Sequence, residues 1–365
     1  DFDFNFKNKI KVESLDKIMN FTVTIENQVN EDDWDASLIK SKHATAFQSA
    51  NFFKPDQIAN NSKPIFIKIF NQDEKLVGQL SCIINNKIKK SSTISKFLSN
   101  QLNLGSIIHW KHGPIIHDQI NHQKILTLIF ATLEKICKEE HVEMIKGTSP
   151  PLDLNFCESF FKEHNYEVIP WKSYIINLPS SSDDFFASLH NKIRYDIRKG
   201  IKNNLSFEIG STLEQINEFG LLKYGKRVDD PSKILDQGKD AIKSAWDYHF
   251  KKGIRKLFLV RYNGELIGGV NALVMNNIVC HTTVVNSSKI MQGGSFLTWN
   301  SIKWAIENNY LFLDLGGANP NPKDKKEEGI DHYKSKWNGI EIPFFRFSKI
   351  FNKKRSKVSG LLRRL

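Results

Sequence analysis

The chain has 365 residues, enough for two domains, and its 40% of hydrophobic residues is typical of a globular protein. No apolar run reaches the roughly 20 residues of a membrane-spanning helix, and the four cysteines form no C-x-x-C pair, so we expect a cytoplasmic protein with reduced thiols. The formal net charge of +12 is explained equally well by polyanionic partners, either nucleic acid or an anionic membrane surface, and by the simple solubility of a lysine-rich protein. The basic residues of the tail favour a polyanionic partner more strongly.

The first half of the chain predicts an α/β domain, preceded by an upstream extension over residues 1–18. Apolar residues recur at i, i+3 and i+4 in its longest segment, which is how one buried helix face is spaced. In chain order we predict a strand over 19–28, a helix over Asp32–Lys40, a hairpin over Pro64–Phe70 and Lys75–Asn85, a helix over Gln123–Glu140, a strand over Val142–Ile145, a helix over Phe156–His164 and a strand over Tyr166–Ile169.

The second half predicts a similar set of elements. A single helix is expected over residues 182–204, because Ser182 and the two aspartates after it suit a helix N-terminus. Its buried stripe would consist of Phe186, Leu189, Ile193, Ile197 and Ile201. We further predict helices over Leu213–Gly225 and Asp240–Lys252, a hairpin over Lys256–Asn277, a helix around Ile302, and a strand over Leu311–Leu315 that stops at Gly316-Gly317.

Two pairs of segments repeat each other in the same order. Residues 64–86 resemble residues 256–277, and residues 125–150 resemble residues 296–320. A repeat with a period near half the chain indicates a duplicated unit. The sequence therefore predicts two similar α/β domains, over residues 19–168 and 169–345, followed by a basic amphipathic tail over 346–365.

A row of basic residues lies along another face of the helix predicted over residues 182–204. Arg194, Arg198 and Lys202 are four residues apart, and Lys192 and Lys199 lie beside them. Like charges at this spacing repel each other by a few tenths of a kcal/mol each, about the cost that a bound anion would remove. The row therefore predicts an anion-binding face, with an ordinary solvated face as the alternative.

The first domain offers three further candidates. Gln48-Ser49 precedes an aromatic pair and Lys54, and Trp110 and Lys111 stand before a Gly-Pro step. From the residues alone, the Gln48-Ser49 segment would be core packing. The segment with Trp110 is equally well interpreted as a strand that ends in a Gly-Pro turn. The nearby histidines lack a metal-ligand spacing, so we predict no metal site.

The most informative stretch is Trp299–Gly339. It predicts a helix, a strand, a glycine turn, a solvated polar loop and then an aromatic and basic segment. This order places Lys334, with Tyr333 beside it, just past the carboxyl end of a strand, where open α/β sheets keep their ligands. Without further support, Lys334 would be an ordinary surface residue of a lysine-rich loop.

The segments "DLGG…GI…YK..WNG" and "RYDIRK", with the Gln-Ser and Gly-Pro steps, resemble the Fem-type aminoacyltransferases. That resemblance implies two acetyltransferase-like (GNAT) domains, each a mixed sheet flanked by helices. It also implies transfer of an amino acid from aminoacyl-tRNA to an amine of a cell-wall peptide precursor, with no further cofactor. Lys334 would stabilise the oxyanion or bind the 3′ end of the tRNA, and Tyr333 would pack on a base or ribose. The implied substrate-binding residues are Lys54, Trp110, Lys111, Arg194, Arg198, Lys199 and Lys202.

Two other classes of function remain open. Gly293-Gly294-Ser295 resembles a degenerate acyl-CoA loop at a helix N-terminus, which favours a CoA-dependent N-acyltransferase. A non-catalytic module that binds RNA or a membrane surface would need only the basic helix and the basic tail. For each of these functions we expect a monomer. For the aminoacyltransferase, the resemblance implies an acceptor that is a peptide or a precursor linked to a nucleotide or lipid diphosphate.

Overall fold

The computed structural model describes residues 7–8, 21–86, 105–224, 232–287 and 292–362. The chain divides into two units, one of residues 1–170 with 344–365 and the other of residues 171–343. The predicted extension over 1–18 lies outside the described residues, apart from 7–8. The two units are not a test of separate folding, so the predicted domain bounds at 168 and 345 stay predictions.

The first unit contains an antiparallel meander of strands β2 to β5, to which β7 is added in parallel to β5. A helix crosses over between β5 and β7, as a parallel pair requires. The strands are β1 (Lys7–Asn8), β2 (Thr22–Glu26), β3 (Lys63–Phe70), β4 (Leu76–Asn86), β5 (Ser106–His109), β6 (Ile115–Ile116) and β7 (Met144–Thr148), and the helices are α1 (Glu31–Leu38), α2 (Lys54–Asn60), α3 (His122–Glu139) and α4 (Glu158–Glu163).

Helix α3 is the crossover helix, and it forms as its sequence predicts. The predicted stripe is buried, and it packs with the inward side chains of β3 and β4 in one core. Each such aliphatic side chain contributes roughly 1.5–3 kcal/mol when it is fully buried. The residues of the stripe are Ile125, Leu128, Ile129, Thr132, Leu133 and Ile136.

The second unit repeats this arrangement. Strands β9 to β12 form an antiparallel meander, β13 lies parallel to β12, and β8 pairs with the outer side of β13. The strands are β8 (Glu167–Asn177), β9 (Ser206–Gly210), β10 (Arg255–Tyr262), β11 (Glu265–Met275), β12 (Ile278–Asn286) and β13 (Phe312–Ala318), and the helices are α5 (Ser182–Ser188), α6 (Asn191–Lys202), α7 (Leu213–Tyr224), α8 (Ser232–Ala245, then a π-helical turn at Trp246–Phe250), α9 (Gly293–Glu307) and α10 (Lys325–Ser335).

The duplication predicted from the sequence is therefore visible in the structure. Hairpin β3–β4 corresponds to hairpin β10–β11, and the pair α3 and β7 corresponds to α9 and β13. In each unit a helix connects two parallel strands after an antiparallel meander. The repeated segments occupy the same positions within the two units.

One predicted helix is two helices in the structure. The prediction of a continuous helix over residues 182–204 is wrong, because Leu189 and His190 have extended backbone angles between α5 and α6. The His190 side chain accepts a hydrogen bond from the Lys192 backbone amide, so it caps α6. Of the predicted stripe, Leu189, Ile193 and Ile197 are buried, whereas Ile201, in the last turn of α6, is 60% exposed.

The predicted basic tail is a strand in its first part. Strand β14 (Ile340–Ile350) pairs through Arg346 and the next four residues with β7, and Phe347 is buried in the core of the first unit. The last helix, α11 (Lys353–Leu362), follows this strand. None of the helices in the described part of the chain is long and apolar enough to cross a bilayer. Contact of the tail with an anionic membrane stays a prediction.

Candidate active site in the second unit

The site is built around an irregularity in β13. The prediction that this strand stops at Gly316-Gly317 is wrong, since the strand continues to Ala318. Its register against β8 shifts between Asp314 and Gly317, which is a β-bulge. Gly316 has φ +83°, a left-handed conformation that glycine adopts without strain, and this turns two successive carbonyl groups toward α10.

Lys334 occupies the last turn of α10 rather than a loop. The predicted polar loop ends at Asp324, whose side chain accepts hydrogen bonds from the Lys326 and Glu327 amides and starts the helix. The Nζ of Lys334 donates to the Gly316 and Gly317 carbonyl oxygens at 2.8 and 2.9 Å. An ammonium group has three N–H donors. Among the described residues two of them are used, which leaves the third for a ligand.

The charge of Lys334 is finely balanced. Burial lowers the pKa of its ammonium to about 8, while the carboxylates of Asp314 and Asp331 act in the opposite direction. At neutral pH the group is therefore mostly protonated, and it loses its charge just above that pH. Partly buried cations interact more strongly with a developing negative charge than exposed ones, because water screens them less.

Tyr333 holds α10 against the first turn of α9. Its hydroxyl donates to the Gly294 carbonyl oxygen at 3.1 Å and lies 2.9 Å from the Thr298 hydroxyl. Burial raises the pKa of Tyr333 to about 12, so the hydroxyl keeps its proton at neutral pH. Its ring packs edge to face on the buried Trp337. Tyr333 thus positions the helix that carries Lys334, and its predicted contact with a base or ribose stays a prediction.

The glycines predicted to bind a cofactor lie where α9 begins. The helix starts at Gly293, so its first backbone N–H groups have no partner within the helix. A Cβ atom at Gly293 would stand 2.9 Å from the Asn286 side-chain oxygen, so a larger residue there would have to displace this side chain. Through the Gly294–Tyr333 hydrogen bond, the structure brings this turn and the Lys334 helix together.

Asp314 supports the bulge rather than facing a substrate. It is 3% exposed, and its Oδ1 accepts hydrogen bonds from the Ser173 hydroxyl and the Gly316 amide. Burial raises the pKa of this carboxyl group. Because one bond runs to the neighbouring strand β8 and the other to the bulge itself, Asp314 fixes the carbonyl groups that hold Lys334.

Two groups of residues that sequence reasoning missed complete the site. On α10, Asp331 Oδ1 accepts hydrogen bonds from Tyr174 at 2.7 Å and from Lys172 at 2.8 Å, which ties the helix to β8. Behind the bulge, the imidazole of His281 lies 3.1 Å from the Ser301 hydroxyl, and burial lowers its pKa to about 3, so it is neutral. In the sequence, Asp331 lies in a charged segment and His281 in a mostly apolar strand, and neither segment indicates these contacts.

The predicted basic row lies on an exposed side of α6. Arg198 places its guanidinium 5.5 Å from the centre of the Phe186 ring, and Arg194 donates to Asn191 within the helix. Lys199 lies over the ring of Tyr195, which is 54% exposed. Lys202 is exposed at the helix end. Arg198, Lys199 and Lys202 are thus exposed, whereas Arg194 is half-buried and its Nε is shielded from solvent. Contact of the row with phosphates stays a prediction.

The candidates of the first unit have other surroundings. Trp110 is 2% exposed and packs against Phe130 and Phe347, so it belongs to the core of this unit. Lys111 is exposed and lies 5.3 Å from the Phe47 ring centre. Lys54 is the first residue of α2. The substrate-binding role of all three residues stays a prediction.

The buried Gln48 organises the Gly-Pro step beside these residues. Its side chain donates to the Lys111 carbonyl oxygen at 2.8 Å and accepts from the Ser81 amide at 2.8 Å. A Cβ atom at Gly113 would stand 2.5 Å from the Gln48 amide nitrogen. The Gln-Ser and Gly-Pro segments, predicted separately, therefore pack on each other.

Comparison with known proteins identifies the fold. No family model and no curated protein sequence matches the chain. Among solved structures, FemX superposes with a TM-score of 0.66 at 12% identity, over 92% of this chain and 99% of FemX. A tandem GNAT protein from the clavulanic acid biosynthesis pathway gives 0.56 at 7% identity, over 90% and 98% of the two chains. L-PGS from Bacillus licheniformis gives 0.51 at 9% identity, over 93% and 99%. The chain therefore has the tandem GNAT fold of the Fem-like proteins, as its sequence predicted.

Proposed function

We propose that this protein transfers an aminoacyl group from aminoacyl-tRNA to an amine of a peptide or cell-envelope precursor. The observation that carries the proposal is the ammonium of Lys334, which is fixed by two carbonyl groups and keeps one N–H for a ligand. The fold shared with FemX supports an acyltransferase, and the resemblance of the tyrosine-lysine segment to Fem-type enzymes supports the aminoacyl donor.

Aminoacyl transfer requires positioning and charge stabilisation more than acid-base groups. The neutral amine of the acceptor attacks the ester carbonyl, and a C–N bond forms as the carbonyl oxygen becomes an oxyanion. The third N–H of Lys334 donates to that oxyanion. The C–O bond to the tRNA ribose then breaks, and the ribose oxygen takes up the proton that the amine releases.

The surrounding residues keep the ammonium in place during this step. Asp314 fixes the bulge, Asp331 anchors the helix, and Tyr333 ties the helix to α9. Because the donor is held before the reaction, little reorganisation is needed when the charge develops. The basic side of α6, with Arg194, Arg198, Lys199 and Lys202, would attract the phosphates of the tRNA or of a diphosphate-linked acceptor.

The proposal is tested by following a labelled amino acid from charged tRNA to a peptide amine. We expect transfer by the wild-type protein, loss of transfer after ribonuclease treatment of the donor, and a strong decrease with Lys334→Met. If the label moves equally well when the tRNA has been digested beforehand, the donor is another acyl compound and the proposal is wrong.

A CoA-dependent acyltransferase is the second candidate, and the start of α9 favours it. The first amides of α9, which have no partner within the helix, suit a pyrophosphate group, which binds well at a helix N-terminus. Thermal unfolding separates the two candidates. Acetyl-CoA should raise the melting temperature of a CoA-dependent acyltransferase, and charged tRNA should raise that of an aminoacyl-tRNA-dependent transferase. Binding of bulk RNA alone, with steep salt dependence and no transfer, would instead favour the non-catalytic module.

A further inference from the structure

A cavity of about 840 Å³ lies within the first unit, and none of its lining residues belongs to the set assigned to the reaction above. Three separate segments line it: the end of α1 with the residues just after it, the turn between β3 and β4, and the residues just after β6. Its volume is in the range of about 300–1,000 Å³ that small-molecule sites have.

The lining of this cavity is positively charged. It contains Lys40, Lys42 and Lys75, all exposed, and a single carboxylate, Asp118. The oxygens of Asp118 already accept hydrogen bonds from the Ile120 and Asn121 amides and from the Asn121 side chain. These bonds, with Lys75 as a smaller cause, hold its pKa below the usual range. The carboxylate thus stabilises its own turn, and the lysines dominate the charge of the cavity.

Two of the lysines act on the same side chain. Burial lowers the pKa of His117 to about 4, and the next causes are the charges of Lys40 and Lys75, from two different segments. The imidazole is therefore neutral at neutral pH. Positive charges that converge in this way repel each other, and an anion between them would relieve the repulsion.

The rest of the wall is both held in place and partly apolar. The fully buried Gln79 accepts a hydrogen bond from Ser37 at 2.6 Å and lies 3.2 Å from the His117 ring nitrogen, so it fixes two lining residues. Val77 and Ile116 are buried in the wall, whereas Leu76 is half-buried and Ile120 is exposed, so these last two present the apolar surface. A ligand for this cavity would combine an anionic group with a non-polar part.

We propose that this cavity binds a phosphate-bearing small molecule of about nucleotide size. The three lysines would surround the phosphate group, since lysine binds phosphate as a point charge, and Leu76 and Ile120 would contact the non-polar part. None of these lysines belongs to the set that the family resemblance assigned to phosphates. The inference does not depend on the proposed function.

Calorimetric titration of the full chain with adenosine 5′-diphosphate, at low salt, tests the inference. We expect binding that inorganic pyrophosphate displaces and that adenosine does not reproduce. Replacing Lys40 and Lys75 together by Gln should weaken binding about tenfold or more, because two of the three charges are lost. The matched control replaces Lys135 and Lys162 by Gln; both are surface lysines of the same unit in i, i+4 pairs with a glutamate, so affinity should change less than about twofold.

A second measurement follows His117 by nuclear magnetic resonance. A bound phosphate counters the two lysine charges, so the pKa of His117 should rise when pyrophosphate is added. The inference is overturned if adenosine 5′-diphosphate does not bind at millimolar concentration, if adenosine binds equally well, or if both double variants lose affinity equally. Lys334→Met should keep the wild-type affinity, which separates failure of this site from failure of the proposed reaction; an equal loss with Lys334→Met would place the ligand elsewhere.

Discussion

The substitution Lys334→Met tests the proposed reaction most directly. It removes the ammonium and its third N–H donor while keeping an unbranched side chain of similar length. The Gly316 and Gly317 carbonyl groups then lose their partner, but they lie at the edge of the site, where water can replace it. We therefore expect the fold to persist and the chemical step to slow.

The size of the effect follows from the role assigned to the ammonium. Loss of one donor to an oxyanion costs roughly 2.7–4 kcal/mol, which is a decrease of about 10² to 10³ in kcat. The free energy of unfolding at neutral pH should stay the same in Lys334→Met or increase. Burial holds the folded-state pKa of Lys334, about 8, below its ordinary value of 10.5, so the charge lowers stability at neutral pH and this penalty fades as pH rises through 8.

The assay is single-turnover transfer of a labelled amino acid from charged tRNA, measured between pH 6 and 10. In the wild type, activity that needs the ammonium should be fully present below pH 8 and fall as the pH rises through 8, and this decrease should disappear in Lys334→Met. Lys336→Met, two residues further along at the helix end, is the matched control and should leave the rate within about twofold. A Lys334→Met protein that keeps a tenth of the wild-type kcat would refute the oxyanion role.

Three further changes act on the support of this site. Asp331→Asn removes a carboxylate that raises the Lys334 pKa, so the decrease in activity should move to lower pH; an unchanged profile would contradict the coupling. Tyr333→Phe removes the bond to Gly294 and should lower the free energy of unfolding by roughly 1 kcal/mol in urea titrations, with a smaller loss of kcat than Lys334→Met. Gly316→Ala, which introduces a Cβ at φ +83°, should cost about 1–3 kcal/mol, whereas the exposed and open Gly329→Ala should not destabilise the protein.

Much of the fold could be predicted because it depends on local patterns. The helix over residues 122–139 was expected within one residue at each end, since its apolar stripe continues through all its turns. The hairpins and the duplication were expected because strand alternation and turn residues are local as well. The prediction of a single helix over 182–204 was wrong because it relied on the same local spacing. Leu189 is buried and fits the apolar spacing of a helix, but its backbone is extended.

The sequence by itself determined the two repeated α/β units, the tyrosine-lysine segment and the glycine start of α9. Only the tertiary structure decided what these segments do for each other. It placed Lys334 on a helix, turned the Gly316 and Gly317 carbonyl groups toward it, and used Tyr333 to join that helix to α9. These contacts join residues 17–39 positions apart, and their formation depends on a bulge in one strand and on burial that no local pattern encodes. Periodicity reports which face of an element is covered, but the partner on that face and the resulting pKa are set by the packed fold.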